Sequence, residues 1–251
     1  MPLEKTDAIV LRTIDFSETS LVVTLFTRDF GKIGALAKGA RRPKNPFDSA
    51  LDLLTLCRIV FLRKSSDALD LVTEAKLQRR FRPAGKSLFG LYAGYYVAEL
   101  LRELTDEYDP HDELFDLAAE TLADLAAGET VPRRVVRFEL GTLRLLGHAP
   151  SLDCCVGCST PVEPAGRVAF GSVDGGVLCT NCRRGKKQII AVTAGAIKTL
   201  AQLADPNNRH WQRIEIDPRI LGEIRGVMNH YLTNLLGKKP RMHQYLGMLG
   251  N

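Results

Sequence analysis

The chain has 251 residues, 45% of them hydrophobic and 25% charged, the make-up of a soluble globular protein with length for two or three modules. No apolar run approaches the roughly 20 residues needed to span a bilayer. The first residues, MPLEKTDAIVLRT, include acids and no apolar signal core, so neither a membrane span nor a secretory address is expected. The formal net charge of +5 conceals a strong division. Lys and Arg outnumber Asp and Glu 16 to 10 over residues 1–90 and 17 to 8 over residues 131–251, whereas residues 91–130 hold 11 acids and one basic residue, Arg102. Two basic ends suit a polyanion; an acidic middle repels one or holds a basic partner.

In chain order, the first eighty residues read as five strands, at 7–14, 20–27, 32–38, 51–62 and 68–75. Each is β-branched or alternating, and the turn clusters RDFG, RRPKNP and KSSD separate them. Five strands without a long intervening helix predict a five-stranded Greek-key barrel of the OB type, which also removes exposed edges. After Pro83 the spacing turns helical. SLFGLYAGYYVAELLRELTDEY places Leu88, Leu91, Tyr92, Tyr95, Leu100 and Leu104 on one broad face. HDELFDLAAETLADLAAG follows, with acids in its first turn and Gly128 as its stop, and then PRRVVRFELGTLRLLG, opened by Pro132 and closed by Gly147. Three successive helices predict a bundle. After the cysteine segment come TAGAIKTLAQLA and a helix that opens with Asp217 as cap and Pro218 as first residue. The expected organisation is an OB domain at 1–80, a helical domain in two parts at 81–150 and 191–251, and a four-cysteine zinc module inserted at 151–190. The fold class is multidomain α+β.

Cys155 and Cys158 are two residues apart, as are Cys179 and Cys182, with twenty residues between the pairs. That spacing lets two tight turns aim four thiolates at one ion, and predicts a structural Zn2+. In a reducing compartment such pairs are metal ligands more often than disulfides. A closed four-thiolate site leaves no position for a reactive water, which argues against hydrolytic zinc chemistry. Cys154 is surplus and stands as an alternative to Cys155; Cys57, in LTLCRIVF, reads as a buried strand residue. His148 reads as a loop residue. No HExxH, phosphate-loop, dinucleotide-binding or nucleophile-elbow pattern is present, so no catalytic residue is assigned and no enzymatic activity is expected.

Four acid-free basic runs remain. KIGALAKGARRPK contributes Lys32, Lys38, Arg41, Arg42 and Lys44, with Gly39 and Ala40 allowing close approach of a phosphate. KLQRRFRPAGK contributes Lys76, Arg79, Arg80, Arg82 and Lys86 around Phe81, which either stacks on a base or anchors the barrel to the helices. RRGKK brings Arg183 and Arg184 directly after the second cysteine pair, and GKKPR follows the last long helix. Together they predict salt-sensitive, sequence-tolerant nucleic-acid binding, with contacts at Lys32, Lys38, Arg41, Arg42, Lys44, Lys76, Arg79, Arg80, Arg82, Arg183 and Arg184.

The stretches ETSLVVTLFTRDFGKIGALAKGARRPK (18–44), RFELGTLRLLGHAPSLDCCVGC (137–158) and FGSVDGGVLCTNC (170–182) resemble the bacterial recombination mediators of the RecO family. That resemblance implies an N-terminal OB domain, a helical body and a zinc module. It further implies binding of single- and double-stranded DNA, annealing of complementary strands, and help in loading RecA on strands coated with single-strand binding protein. RecR and the C-terminal tail of single-strand binding protein are implied partners, RecA an indirect one, and the cytoplasm, at the nucleoid, the implied location. The family's KGARR falls on Lys38, Gly39, Ala40, Arg41 and Arg42, and its knuckle cysteines on Cys155, Cys158, Cys179 and Cys182. Many members lack some of these cysteines, which points to a structural metal. The residues alone also admit an RNA-binding OB and zinc protein of translation or RNA metabolism, because phosphate contacts do not distinguish the sugar. A nuclease with a zinc appendage lacks a carboxylate or nucleophile arrangement to support it.

Overall fold

The computed structural model describes residues 2–47, 49–64 and 68–248, grouped in two compact units, Met1–Glu129 and Thr130–Asn251. In the first unit β1 (Leu3–Asp15), β2 (Leu21–Thr27), β3 (Gly31–Ala37), β4 (Leu56–Leu62) and β5 (Asp70–Arg79) form a closed barrel in the order β1-β2-β3-β5-β4. Every pairing is antiparallel except β3 with β5. This is the OB-type ring expected from the strand count.

Alternation explains its closure. In β3 the residues Ile33, Ala35 and Ala37 are buried and the residues between them are half-exposed. Side chains of successive strand residues leave opposite faces, so these three point inward with Val23, Leu25, Cys57, Ile59, Phe61 and Val72 to make the core. Cys57 is the buried strand residue expected; burial pushes its thiol up to about 12. The fourth strand begins at Leu56, five residues later than the apolar run suggests. Phe47, Ala50, Leu51 and Leu54 are instead buried ahead of it in turns, and Phe47, Ala50 and Leu51 join the ring's core. Of the KSSD turn, residues 65–67 lie outside the described residues.

Helices α1 (Leu88–Leu104) and α2 (Asp112–Ala127) belong to this unit. Ser87 caps α1 by accepting from the Gly90 N–H, and Gly128 ends α2 in the left-handed conformation, φ 95°. The buried face of α1 follows its bulky residues only in part: Tyr96, Leu100 and Leu101 are fully buried, but Leu100 alone of the six expected on one face is. It runs through Gly90, Ala93, Gly94, Val97 and Leu101, while Leu88 is 60% exposed. The reason is proximity: a Cβ on Gly94 would lie 2.5 Å from the Phe81 ring and 2.8 Å from Leu54, and one on Gly90 would lie 3.0 Å from Pro83. Phe81 is therefore the anchor between strand exit and helix.

In the second unit α3 (Val131–Leu145), α4 (Ala194–Ala204) and α5 (Pro218–Leu236) pack together, and the cysteine segment intervenes with a small sheet, β7-β6-β8, of β6 (Arg167–Gly171), β7 (Gly176–Leu178) and β8 (Ile189–Thr193). A short α6 (His243–Met248) follows. The helices expected as one bundle are thus divided, two with the barrel and the third with the cysteine segment. Asp217 accepts from the Arg219 N–H and Pro218 opens α5, as its sequence indicates. Inside, Glu139 is fully buried and receives the Arg225 guanidinium at 2.7 and 2.9 Å. No helix is long and apolar enough to cross a membrane among the described residues.

Two glycines give opposite expectations. Gly94→Ala forces a methyl into the Phe81 ring and is expected to destabilise the first unit by about 1–3 kcal/mol. Gly222→Ala, on the exposed face of α5 with nothing within 4 Å, is expected to stabilise by up to about 1 kcal/mol. Urea denaturation of both variants measures the contrast.

Candidate metal centre and nucleic-acid interface

The four sulfurs of Cys155, Cys158, Cys179 and Cys182 all lie within 4.8 Å of one another. Cys158 Sγ and Cys179 Sγ are 3.8 Å apart, the separation of about 3.8 Å that a tetrahedron with 2.3 Å zinc–sulfur bonds requires. The two turns that carry them are aimed by backbone donors. Gly157 N–H and Cys179 N–H donate to Cys155 Sγ at 3.4 and 3.3 Å, and Cys182 N–H donates to Cys179 Sγ at 3.4 Å. A Cβ on Gly157 would meet Cys182 Cβ at 3.0 Å, so the first turn needs its glycine for the two knuckles to close. The DGG turn between β6 and β7 uses Gly175 at φ 80°.

These donors act on the thiols unequally. The Cys179 and Gly157 amides pull Cys155 down to about 6, and Thr160 lowers Cys158. Cys182, beside three other sulfurs, is pushed up to about 12. The cluster therefore yields a first proton readily and resists losing the last, an opposition that a divalent cation among the sulfurs removes. The donor set and spacing fit a metal ion. Cys154 is outside the cluster; its backbone pairs with Pro161.

The basic residues separate into several groups. Lys38, Arg41, Arg42 and Lys44 are exposed on the loop after β3. That loop is tied to the β1–β2 turn: Arg41 N–H donates to Thr19 O at 3.1 Å, and its guanidinium reaches Ser17 O at 3.2 Å and Asp15 at 3.1 Å. Gly39 adopts φ 74°, and the Arg42 side chain folds over it, 3.5 Å from where a Cβ would sit. Lys76 lies on β5 in register with Arg58, along a groove shared with Lys5 and Glu74. Arg82 is exposed and Arg80 half-buried near Phe81. Arg183 and Arg184, in the second unit, are exposed in the turn after Cys182.

Two expected contacts have other partners. Lys32 is half-buried and its ammonium donates to Arg102 O at 2.7 Å and to Thr105 O, closing the C-terminal end of α1. Burial lowers its pKa. Arg79 donates to Ala119 O of α2 at 2.6 Å. Lys32 sits where α1 covers the strand, whereas Arg79 stays exposed while it bonds to α2; spacing reveals neither partner. A search for charge also passes over the β1–β2 turn, although it carries the most exposed aromatic ring among the described residues, Phe16 at 65%. Strand parity is the signal that finds it. Ile14 and Phe16 are two residues apart, and both alternate with Thr13, whose register partner Val23 is buried.

Residues 1–81 match the family model described as Recombination protein O N terminal, and residues 85–244 the one described as Recombination protein O C terminal. Relatives named DNA repair protein RecO include one from Rhodopirellula baltica, 43% identical with 95% of this chain and 97% of that protein covered. One from Anaeromyxobacter dehalogenans is 34% identical, covering 100% and 98%, and one from Syntrophus aciditrophicus is 31% identical, covering 94% and 92%.

The purified chain is expected to carry one metal ion, lost in Cys155→Ser and Cys179→Ser with a lower melting temperature and kept in Cys154→Ser; elemental analysis and calorimetry measure both. Lys32→Gln is expected to destabilise the first unit by about 1.5–3 kcal/mol, the worth of a charge-assisted hydrogen bond, and to leave DNA affinity unchanged in a filter-binding assay.

Proposed function

The chain belongs to the recombination protein O family, and from that premise we propose that it is a DNA repair and recombination mediator that binds single- and double-stranded DNA and anneals complementary strands. The observation that carries this reading is the loop Lys38–Lys44: four exposed cations, no acid among them, held against a neighbouring turn on an OB ring. Annealing two polyanions requires that phosphate repulsion be neutralised while base edges stay free to pair. Lys and Arg contacts to phosphate do the first and read no sequence.

Arg183 and Arg184 supply a second basic turn in the second unit, so each unit offers one strand a place. In this reading the metal is Zn2+, four-thiolate and structural, and stabilises the module that presents that turn. The mediator acts in the cytoplasm at the nucleoid and breaks no bond. RecR and the C-terminal tail of single-strand binding protein are its partners, and assembly of RecA on coated strands is the step it assists.

The test is annealing of two complementary oligonucleotides without ATP, one of them coated with single-strand binding protein. Wild type is expected to anneal them, and Lys38/Arg41/Arg42→Glu, once its folding is verified by circular dichroism, to lose that activity. Equal annealing by both moves the strand-holding site off this loop. Absence of annealing by wild type, with tighter binding to a matched RNA oligomer, favours an RNA-binding role. Arg183/Arg184→Glu is expected to impair annealing as well; full activity in that variant removes the second strand site.

A further inference from the structure

β3 carries an outward row at every second residue, Lys32, Gly34, Leu36 and then Lys38 just past the strand end. At the Lys32 end this row is covered: Lys32 pairs in register with Phe26, whose ring lies 6.2 Å from Phe115 of α2. Lys38 lies six residues on, roughly 20 Å along the strand. Near that end Ile14, Val22, Leu36 and Leu71 are register partners across β1, β2, β3 and β5, and therefore share the outer face. Ile14 is 43% exposed and the other three are half-exposed.

Phe16 follows Ile14 by two residues, at the edge of this apolar strip. Its position is fixed by the turn that carries it. Phe16 N–H and Ser17 N–H donate to Ser20 O at 3.0 and 3.3 Å, and Ser20 N–H donates to Ser17 Oγ at 3.2 Å. The same turn is held by Arg41 through Ser17 O, Thr19 O and Asp15. A large, exposed aromatic ring on a hydrogen-bonded turn, bordered by cations, has the chemistry that takes an unpaired base. The ring offers a π-face and the cations hold the adjoining phosphates. Bases in a duplex are already stacked and have no face to give it.

We propose that Phe16 is a stacking platform for one unpaired base of a DNA strand whose phosphates are held by Lys38, Arg41 and Arg42. The proposal deepens, and rests on, the placement of DNA at this loop. It makes the barrel discriminate single strands from duplex, which phosphate contacts alone do not.

The experiment compares the full-length chain with Phe16→Ala and Phe16→Trp, binding an oligothymidylate and a duplex of equal length over a salt series. Phe16→Ala is expected to weaken single-strand binding roughly 5- to 150-fold, the worth of one stacked base, with duplex affinity and the single-strand salt slope unchanged. Phe16→Trp is expected to retain single-strand affinity, and its emission to be quenched by the oligothymidylate; the one native tryptophan, Trp211, is buried. Wild-type single-strand affinity in Phe16→Ala overturns the proposal. So does an equal loss for single strand and duplex, which marks a turn-supporting role, or an unquenched tryptophan at position 16. Lys38/Arg41/Arg42→Glu, measured alongside, reads the loop separately. If that variant binds both DNAs normally, the loop placement fails; if it loses both while Phe16→Ala keeps single-strand binding, stacking alone fails.

Discussion

Closure of the strand ring is the constraint on which the rest of the first unit depends. Once β1 pairs with both β2 and β4, β3 with both β2 and β5, and β4 with β5, no strand edge is left open and the inward positions are filled by a fixed set of apolar side chains. The outward positions are thereby released from core packing. What occupies them decides where the ring is covered and where it meets solvent. At one end Phe26 and Lys32 lie under α1 and α2; at the other Ile14, Val22 and Leu36 are left partly bare, next to Phe16 and the cations of the following loop.

Lys32 and Lys38 show how one strand gives chemically identical residues opposite roles. They share a face and differ only in distance along β3. The first ends against the last turn of α1, where free carbonyls and the negative end of the helix dipole accept an ammonium. The end of the helix and the residues just after it bring acids to this site, for Glu107, Asp106 and Glu103 all favour the charged form of Lys32 against its burial. Arg28, bonded to both oxygens of Asp116 at 2.5 and 2.6 Å, belongs to the same brace. Four of the eleven acids in the stretch that stands out in the sequence, Glu103, Asp106, Glu107 and Asp116, therefore face Lys32 or Arg28 inside their own unit. This accounts for part of the charge division without a partner. Lys38, by contrast, is exposed.

The strand count, the helix ends at Gly128 and Asp217, and the metal-ligand spacing are legible in the sequence because each rests on local pattern, and the ring follows from the strand count although its pairings are long-range. The differences between expectation and structure share the opposite cause. The partners of Lys32 and Arg79 depend on which helix carbonyls come near them, and that is a long-range fact. On α1, large apolar residues are an incomplete packing signal: Tyr96, Leu100 and Leu101 are fully buried, yet Leu88 is 60% exposed. Close approach of Phe81 and Leu54 selects a glycine at position 94, and that of Pro83 one at position 90. Leu51 and Leu54 look like the start of a strand because a buried turn and a buried strand have the same hydropathy. The doublet at 154–155 is ambiguous by spacing alone; the fold brings Cys155 among the other three sulfurs and leaves Cys154 outside.

The two units solve a common problem in different ways. Each carries an exposed basic loop, and exposed loops lose entropy when they are held. In the first unit the loop is held by hydrogen bonds to an adjacent turn, with Arg41 serving both as tether and as surface cation. The cysteine segment has too little apolar material to do likewise: its own cluster comprises buried Cys155, Ala169 and Leu178 with a few half-buried neighbours. So small a core does not stabilise a module without a staple. In the proposed reading, four thiolates on one ion would supply that staple as folding energy. Its effect extends directly to the basic turn, since Arg183 N–H donates to Cys179 O at 3.1 Å within the second knuckle. The turn that presents Arg183 and Arg184 is thus a continuation of the metal-binding turn, and its geometry is set by the same four sulfurs.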